Sequence, residues 1–209
     1  MKEFPRKIFE DFKSEFSILK KLKTPVDIQD FLISVPINFE KKSETYHSPL
    51  MMFRNNEAHC MEGAVFAAAA LWYQGRPPLL FDLKTNNDDM DHVVALFKEG
   101  DRWGAISKTN HIVLRYRDAI YKSPRELAMS YFHEYFLDNG VKTLRSYSDP
   151  FDLRAFDDEW LIAEKPLWNI VKALDNSPHT NILERGAERR LRPAEPAEIE
   201  AGKITEWKR

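Results

Sequence analysis

The sequence predicts an α+β fold on three observations. Helical periodicity fills the first part of the chain. A single Ala-rich helix then stands directly before a cluster of short strand patterns, and further helical signals follow that cluster. In 5–22, Ile8, Phe9, Phe12, Phe16 and Leu19 recur at helical spacing. Lys20, Lys21 and Lys23 form a basic end that suits the helix dipole. A second helix starts at the Thr24 cap with Pro25 in its first position and stops before Pro36. Residues 37–57 are polar and irregular and read as loop. The helix from Cys60 to Gln74 carries Gly63, Ala64 and Ala67 to Ala70, and Gly75 closes it.

The strand patterns follow. LLFDL after Pro77-Pro78 is the first, and 84–91 is a polar loop. HVVALF (92–97) and WGAISK (103–108) form a hairpin across KEGDR. HIVLRYRDAIY (111–121) reads as another strand. Ser123-Pro124 caps a helix through RELAMSYFHEYF that Gly140 ends, and TLRSY is a strand. A last helix runs from Leu161 to Leu174, interrupted near Pro166. From Pro178 onward Arg, Glu, Pro and Ala dominate. The division is therefore one domain over 1–177 and a polar, loosely attached tail over 178–209.

The 209 residues carry 43% hydrophobic and 12% aromatic side chains, enough for a sizeable core. The formal net charge of −2 gives no basic field for nucleic acid. No apolar run is long enough to span a bilayer. The first twenty residues alternate apolar and charged, unlike a signal peptide. One cysteine excludes an internal disulfide framework and fits a reducing compartment, so a cytoplasmic location is expected.

That cysteine, Cys60, sits where the central helix begins. A helix N-terminus favours the thiolate, because unpaired amides and the dipole stabilise negative charge there. The alternative is a buried space-filler, the common state of a free cysteine. A nucleophile needs a base, and His92 opens the strand HVVALF. If KEGD is the turn, antiparallel register places His92 opposite Ser107. A third member must accept the other imidazole N–H and fix the tautomer. Serine can accept that bond but brings no charge to the imidazolium.

The segment from Ser48 to Ser107 resembles the core of the transglutaminase-like superfamily, the papain-like cysteine fold. That family places a cysteine at a helix start, then an alanine-rich helix ending in Gly. A strand follows, then a histidine at a strand start, then a tryptophan-led strand ending in an aspartate. The matching residues are Cys60, the helix Met61 to Gly75, His92, and Trp103 to Ser107. The resemblance covers about residues 48–108. It implies a cysteine helix packed on an antiparallel sheet, with N- and C-terminal helices added.

Two positions depart from the family pattern. Ala58 stands where the family has Gly, and Ser107 falls on the aspartate position. The third member is then Ser107, or Asn110 acting as the asparagine of papain-like enzymes. Asp82 and Asp91 are further candidates. The Cys60 backbone amide is the natural first oxyanion donor, with Arg54, Asn55 or Asn56 as a second. The implied reaction is thioester acyl transfer on a peptide or protein amide, hydrolysis being favoured over crosslinking. A catalytically impaired fold serving as a protein-interaction module is the alternative. The oligomeric state is left open.

Other constellations are weaker. His59, Cys60 and His92 near Asp88, Asp89 and Asp91 lack any Cys-x-x-Cys spacing, so no metal is expected. The acidic run lacks the later glutamate of a calcium loop. No glycine pattern cradles a phosphate, and no cofactor is implied.

Overall fold

The computed structural model describes residues 2–41 and 43–208. Helices α1 (Arg6–Asp11), α2 (Lys13–Phe16), α3 (Pro25–Ser34), α4 (Pro49–Asn55) and α5 (Cys60–Tyr73) come first. Strands β1 (Leu79–Thr85), β2 (His92–Glu99), β3 (Arg102–Ile106) and β4 (Arg117–Tyr121) follow, then α6 (Pro124–Phe132). Strands β5 (Leu144–Ser148) and β6 (Phe151–Asp152), helix α7 (Trp168–Asp175), strand β7 (His179–Asn181) and helix α8 (Pro196–Gly202) complete the chain. This is the predicted α+β class. No helix among the described residues is long and apolar enough to cross a membrane.

The first expected helix is broken. Phe12 leaves helical geometry at φ −117° and ψ 40°, and a 3-10 turn over Ser17–Lys20 follows α2. The break turns Phe9, Phe16 and Leu19 into the same core as α5. Phe9 stacks on Tyr73 with centroids 4.9 Å apart, and Phe4 meets Trp72 edge-on at 5.5 Å. Helix α3 begins as read: Thr24 and Asp27 form a capping box, with Pro25 in the first turn. The stretch expected as loop contains α4, started by the Ser48 side chain accepting from the Met51 amide.

Helix α5 is buried on every side from Met61 to Trp72. A helix apolar all round belongs in the centre of a fold. Its run of alanines lets it lie against β2 and β1 while α3 and α4 pack on it from outside. Gly75, at φ +82°, ends it in the left-handed conformation that favours glycine.

The strands form one antiparallel sheet in the order β4-β3-β2-β1-β5-β7, with β6 also pairing β1. Both faces are covered. Leu80, Val93, Ala95, Phe97 and Ile106 face the α5 core. Phe81, Leu83, Val94, Leu96 and Ala105 face a second core built with Leu127, Tyr131 and Phe132 of α6. Two covered faces explain why HVVALF is continuously apolar instead of alternating.

The β2–β3 turn differs from the expected one. Glu99 pairs Arg102, so Gly100 and Asp101 form the turn, with Gly100 at φ +60°. Ala95 then pairs Ile106, which moves Ser107 from directly opposite His92 to a diagonal position on the same face. The strand expected over 111–121 is confined to Arg117–Tyr121. Leu114 takes φ +59° just before it, and the bent run 111–116 returns towards the end of β3. The helix expected over 161–174 divides at Pro166 into a 3-10 turn, Asp158–Leu161, and α7.

The stretch from Pro178, read as a loosely attached tail, is stitched to the sheet. Strand β7 pairs β5, and the Ala194 amide donates to the Gly140 carbonyl at 2.9 Å. Ile182 joins the second core, and Leu183 and Leu191 pack against it, so the stretch is held by apolar contacts as well as by backbone pairing.

Candidate active site

Cys60 is the first residue of α5 and His59 is its N-cap. The His59 Nδ1 accepts from the Met61 amide at 3.3 Å, and the His59 amide donates to Glu62 Oε2 at 3.0 Å. This is a capping box with histidine in the usual Ser/Thr place. The Cys60 amide donates to no group among the described residues. It is thus an open N–H at the positive end of a helix dipole, beside the thiol.

Glu62, fully buried, organises the surrounding loop. Its carboxylate accepts from Asn38 Nδ2, Thr45 Oγ1 and the His47 amide, at 2.8 to 3.3 Å, besides the His59 amide. His59 Nε2 donates to the Thr45 carbonyl at 2.8 Å and lies 3.5 Å from Glu62 Oε1.

His92 enters from β2, almost fully buried. Its Nε2 lies 2.8 Å from Ser107 Oγ. The Ser107 hydroxyl donates at 2.5 Å to the Leu114 carbonyl, so its oxygen accepts from His92. That assigns the proton to Nε2 and leaves Nδ1 as the basic nitrogen. Ser107 is itself fixed by Gln29 of α3. The Gln29 amide group donates to the Ser107 carbonyl and accepts from the Ser107 amide, both at 2.9 Å.

Both imidazoles bear on the thiol. Burial works against the Cys60 thiolate, but His59 and then His92 outweigh it and hold the thiol well below its ordinary range. Burial likewise works against a charged His59, but the adjacent Cys60 thiolate and Glu62 raise it to about 9. The cap bond to Met61 needs a bare Nδ1 and is long. The neutral ring therefore belongs with the thiol, and the charged ring with the thiolate.

Lys108 follows Ser107 and is buried. Its ammonium donates to the Leu32 and Val35 carbonyls at the C-terminus of α3. Its side chain crosses the first turn of α5 at Gly63, where a Cβ would lie 2.4 Å from Lys108 Cβ. Glycine is required there by close approach, not by its dihedral angles.

The thiol opens into a cleft of about 1150 Å³, lined by Cys60, His59 and His92. Its walls are residues 37–41, Ser43 and Glu44, the loop 89–91, residues of the run 108–114, the loop 134–139, and Ile199 and Gly202 of α8. Tyr135 lines it with its hydroxyl on the Met90 carbonyl at 2.6 Å. Burial, with Cys60 and Asp89 nearby, raises that phenol and keeps it protonated.

The structure thus brings Cys60, His92 and Ser107 together. Asn110 is elsewhere engaged: its side chain donates to the Trp207 carbonyl at 3.0 Å and accepts from the Trp207 amide at 2.8 Å. Asp82 turns to His179 Nε2, 3.1 Å away, and Asp91 accepts from Thr85 at 2.7 Å. Arg54 pairs with Glu15, Asn55 contacts His47, Asn56 ends α4, and none of the three lines the cleft. The acidic trio Asp82, Asp91 and Asp175 is the grouping of metal-ligating type among the described residues, and it excludes His59, Cys60 and His92. Sequence reasoning missed Glu62, whose signal was its capping-box spacing from His59, and Gln29 and Tyr135, which had none. No protein-family model and no curated protein matches this chain.

Proposed function

We propose that the chain is a cysteine acyl-transfer enzyme with a papain- or transglutaminase-like site, acting on peptide or protein amides with water as acceptor. One observation carries the reading. The thiol at the α5 N-terminus shares one cleft with His59 and His92, which together lower it, and His92 has its Nε2 proton held by Ser107 with Nδ1 left basic. The order of cysteine helix, histidine strand and Trp-led strand supports it. So does the diagonal reach of Ser107, the residue at the family's aspartate position.

In this mechanism His92 Nδ1 takes the Cys60 proton, and the thiolate attacks the amide carbonyl carbon. The developing oxyanion lies against the open Cys60 N–H. The tetrahedral intermediate collapses as His92 returns the proton to the leaving amine, forming a thioester on Cys60. Water, deprotonated by the same imidazole, then releases the acid and restores the thiol. Ser107 keeps the imidazole oriented but adds no charge to steady the imidazolium.

The test is iodoacetamide alkylation across pH, with His92→Ala alongside. One cysteine gives one signal. A rate midpoint well below the unperturbed value of about 8.5, moving upward in His92→Ala, supports the enzyme. A slow rate with an ordinary midpoint, indifferent to His92, overturns it. The uncharged Ser107 favours one rival, a catalytically impaired interaction module; there Ser107→Asp raises a thiol reactivity that starts low.

A further inference from the structure

The cleft over Cys60 has a charge pattern far from that of the whole chain. Three separate loops bring it six carboxylates: Glu40 and Glu44, Asp89 and Asp91, Glu134 and Asp138. Some are answered within the protein. Glu134 pairs with Arg117 at 2.6 Å, and Asp91 lies in the field of Lys84. Glu40 accepts from the Thr45 amide and lies 3.7 Å from His59. Glu44, Asp89 and Asp138 enter no ion pair among the described residues, although Asp89 accepts from Thr143 Oγ1 at 2.6 Å and Asp138 lies in the field of Lys203. The lysines of the lining are Lys41 and Lys108, and the Lys108 ammonium is spent on the α3 carbonyls. The net charge of the whole chain is only −2, so the cleft concentrates what the surface elsewhere balances.

The same walls carry apolar surface. Met90, 83% exposed, stands between Asp89 and Asp91, and Val113, Leu137 and Ile199 line the cleft with it. An apolar wall edged by carboxylates fits a side chain with an aliphatic stem and a cationic head. A concave site lined by one sign of charge also focuses its field on the incoming ligand.

We propose that the Cys60 cleft selects a cationic substrate, a peptide segment carrying lysine or arginine beside the amide that is attacked, with its charge seated against Glu44, Asp89 and Asp138. The substrate class rests on the acyl-transfer reading. The charge selection does not, and can be measured apart from it.

The test uses two methanethiosulfonate reagents on the full chain, one with a trimethylammonium-ethyl group and one with a sulfonatoethyl group. Each rate is divided by that of 2-mercaptoethanol under the same conditions, which removes the intrinsic preference of any thiolate. The normalised ratio of cationic to anionic rates is expected at roughly tenfold, because a cleft lined by one sign of charge focuses its field on an incoming ion. It falls at high salt, and it falls in Glu44→Gln/Asp138→Asn, whose sites are both exposed. A ratio of one, or a ratio unmoved by that variant, overturns the proposal. A thiol fast towards neutral iodoacetamide but blind to charge leaves the acyl-transfer reading standing while this one fails. A slow thiol that still shows the salt-sensitive charge preference sustains the selectivity and removes the enzyme.

Discussion

Gly63→Ala probes the contact that spaces the cysteine helix from the end of β3. A Cβ at 63 would lie 2.4 Å from Lys108 Cβ and 2.9 Å from Lys108 Cγ. Carbon atoms pack at about 3.5–4.0 Å, so the new methyl lacks about 1 Å of room. Lys108 cannot readily yield. Its Cβ is fixed by the backbone, and its ammonium is held by the Leu32 and Val35 carbonyls. Overpacking of this kind costs about 1–3 kcal/mol, and so tight a contact belongs at the upper end. Helix propensity returns about 1 kcal/mol in favour of alanine. The net expectation is a loss of about 2 kcal/mol. At an m-value of about 2 kcal/mol/M, the urea midpoint falls by about 1 M. The same shift moves Ser107 and His92 relative to Cys60, so iodoacetamide alkylation at neutral pH slows about tenfold. An alanine variant equal to or more stable than the parent, with unchanged alkylation, would refute the argument that Gly63 exists to admit Lys108.

Two further predictions separate neighbouring roles. Ser107→Ala leaves His92 Nε2 without its acceptor, so alkylation slows about tenfold and its midpoint rises, whereas Asn110→Ala leaves thiol kinetics unchanged and exposes the segment around Trp207 to limited proteolysis. Equal effects of the two substitutions on the thiol would deny Ser107 its positioning role. For Lys108, burial lowers the amine from 10.5 to about 8. Between these values the unfolded chain binds more protons than the folded one, so stability contributed at this site rises with pH across that window. Urea midpoints of the parent should therefore gain on those of Lys108→Met from pH 8 to 10.5; a flat difference would mean that the amine is not desolvated.

The strongest sequence signals came from elements whose periodicity and caps agreed. Thr24-Pro25 and Ser123-Pro124 mark real helix starts, and Gly75 a real end. The α+β class followed from those signals and the strand cluster. The turn between β2 and β3 was harder to place, because KEGDR allows Gly100 in either of two two-residue turns, Glu99–Gly100 or Gly100–Asp101, whose pairings differ by two residues. The strand at 111–121 and the first helix were over-extended for one shared reason. Their apolar spacing was sound, but tertiary contacts bent them, through Leu114 in one case and Phe12 in the other. At the site, Cys60 and His92 were legible as chemistry-bearing types at element starts. Gln29 was not, because an isolated polar residue on an amphipathic helix has no local mark of a partner in a distant strand. Lys108 was hidden similarly: a lysine in a strand reads as solvent-facing until a glycine on another helix is seen to make room for it.

The Gln29 clamp has a practical consequence for dividing the chain. The sequence pattern on which the proposed acyl-transfer reading rests begins near residue 48 and invites the view that everything earlier is ornament. Yet Ser107 is gripped on both its carbonyl and its amide by a side chain from α3, and Lys108 is anchored on the carboxyl end of that helix. The minimal reactive fragment must therefore begin ahead of Thr24, with the cap that starts α3 intact. A shorter piece would keep the thiol and its helix while losing the ties that hold Ser107 against His92, and it would inherit two α3-facing groups with nothing to bind.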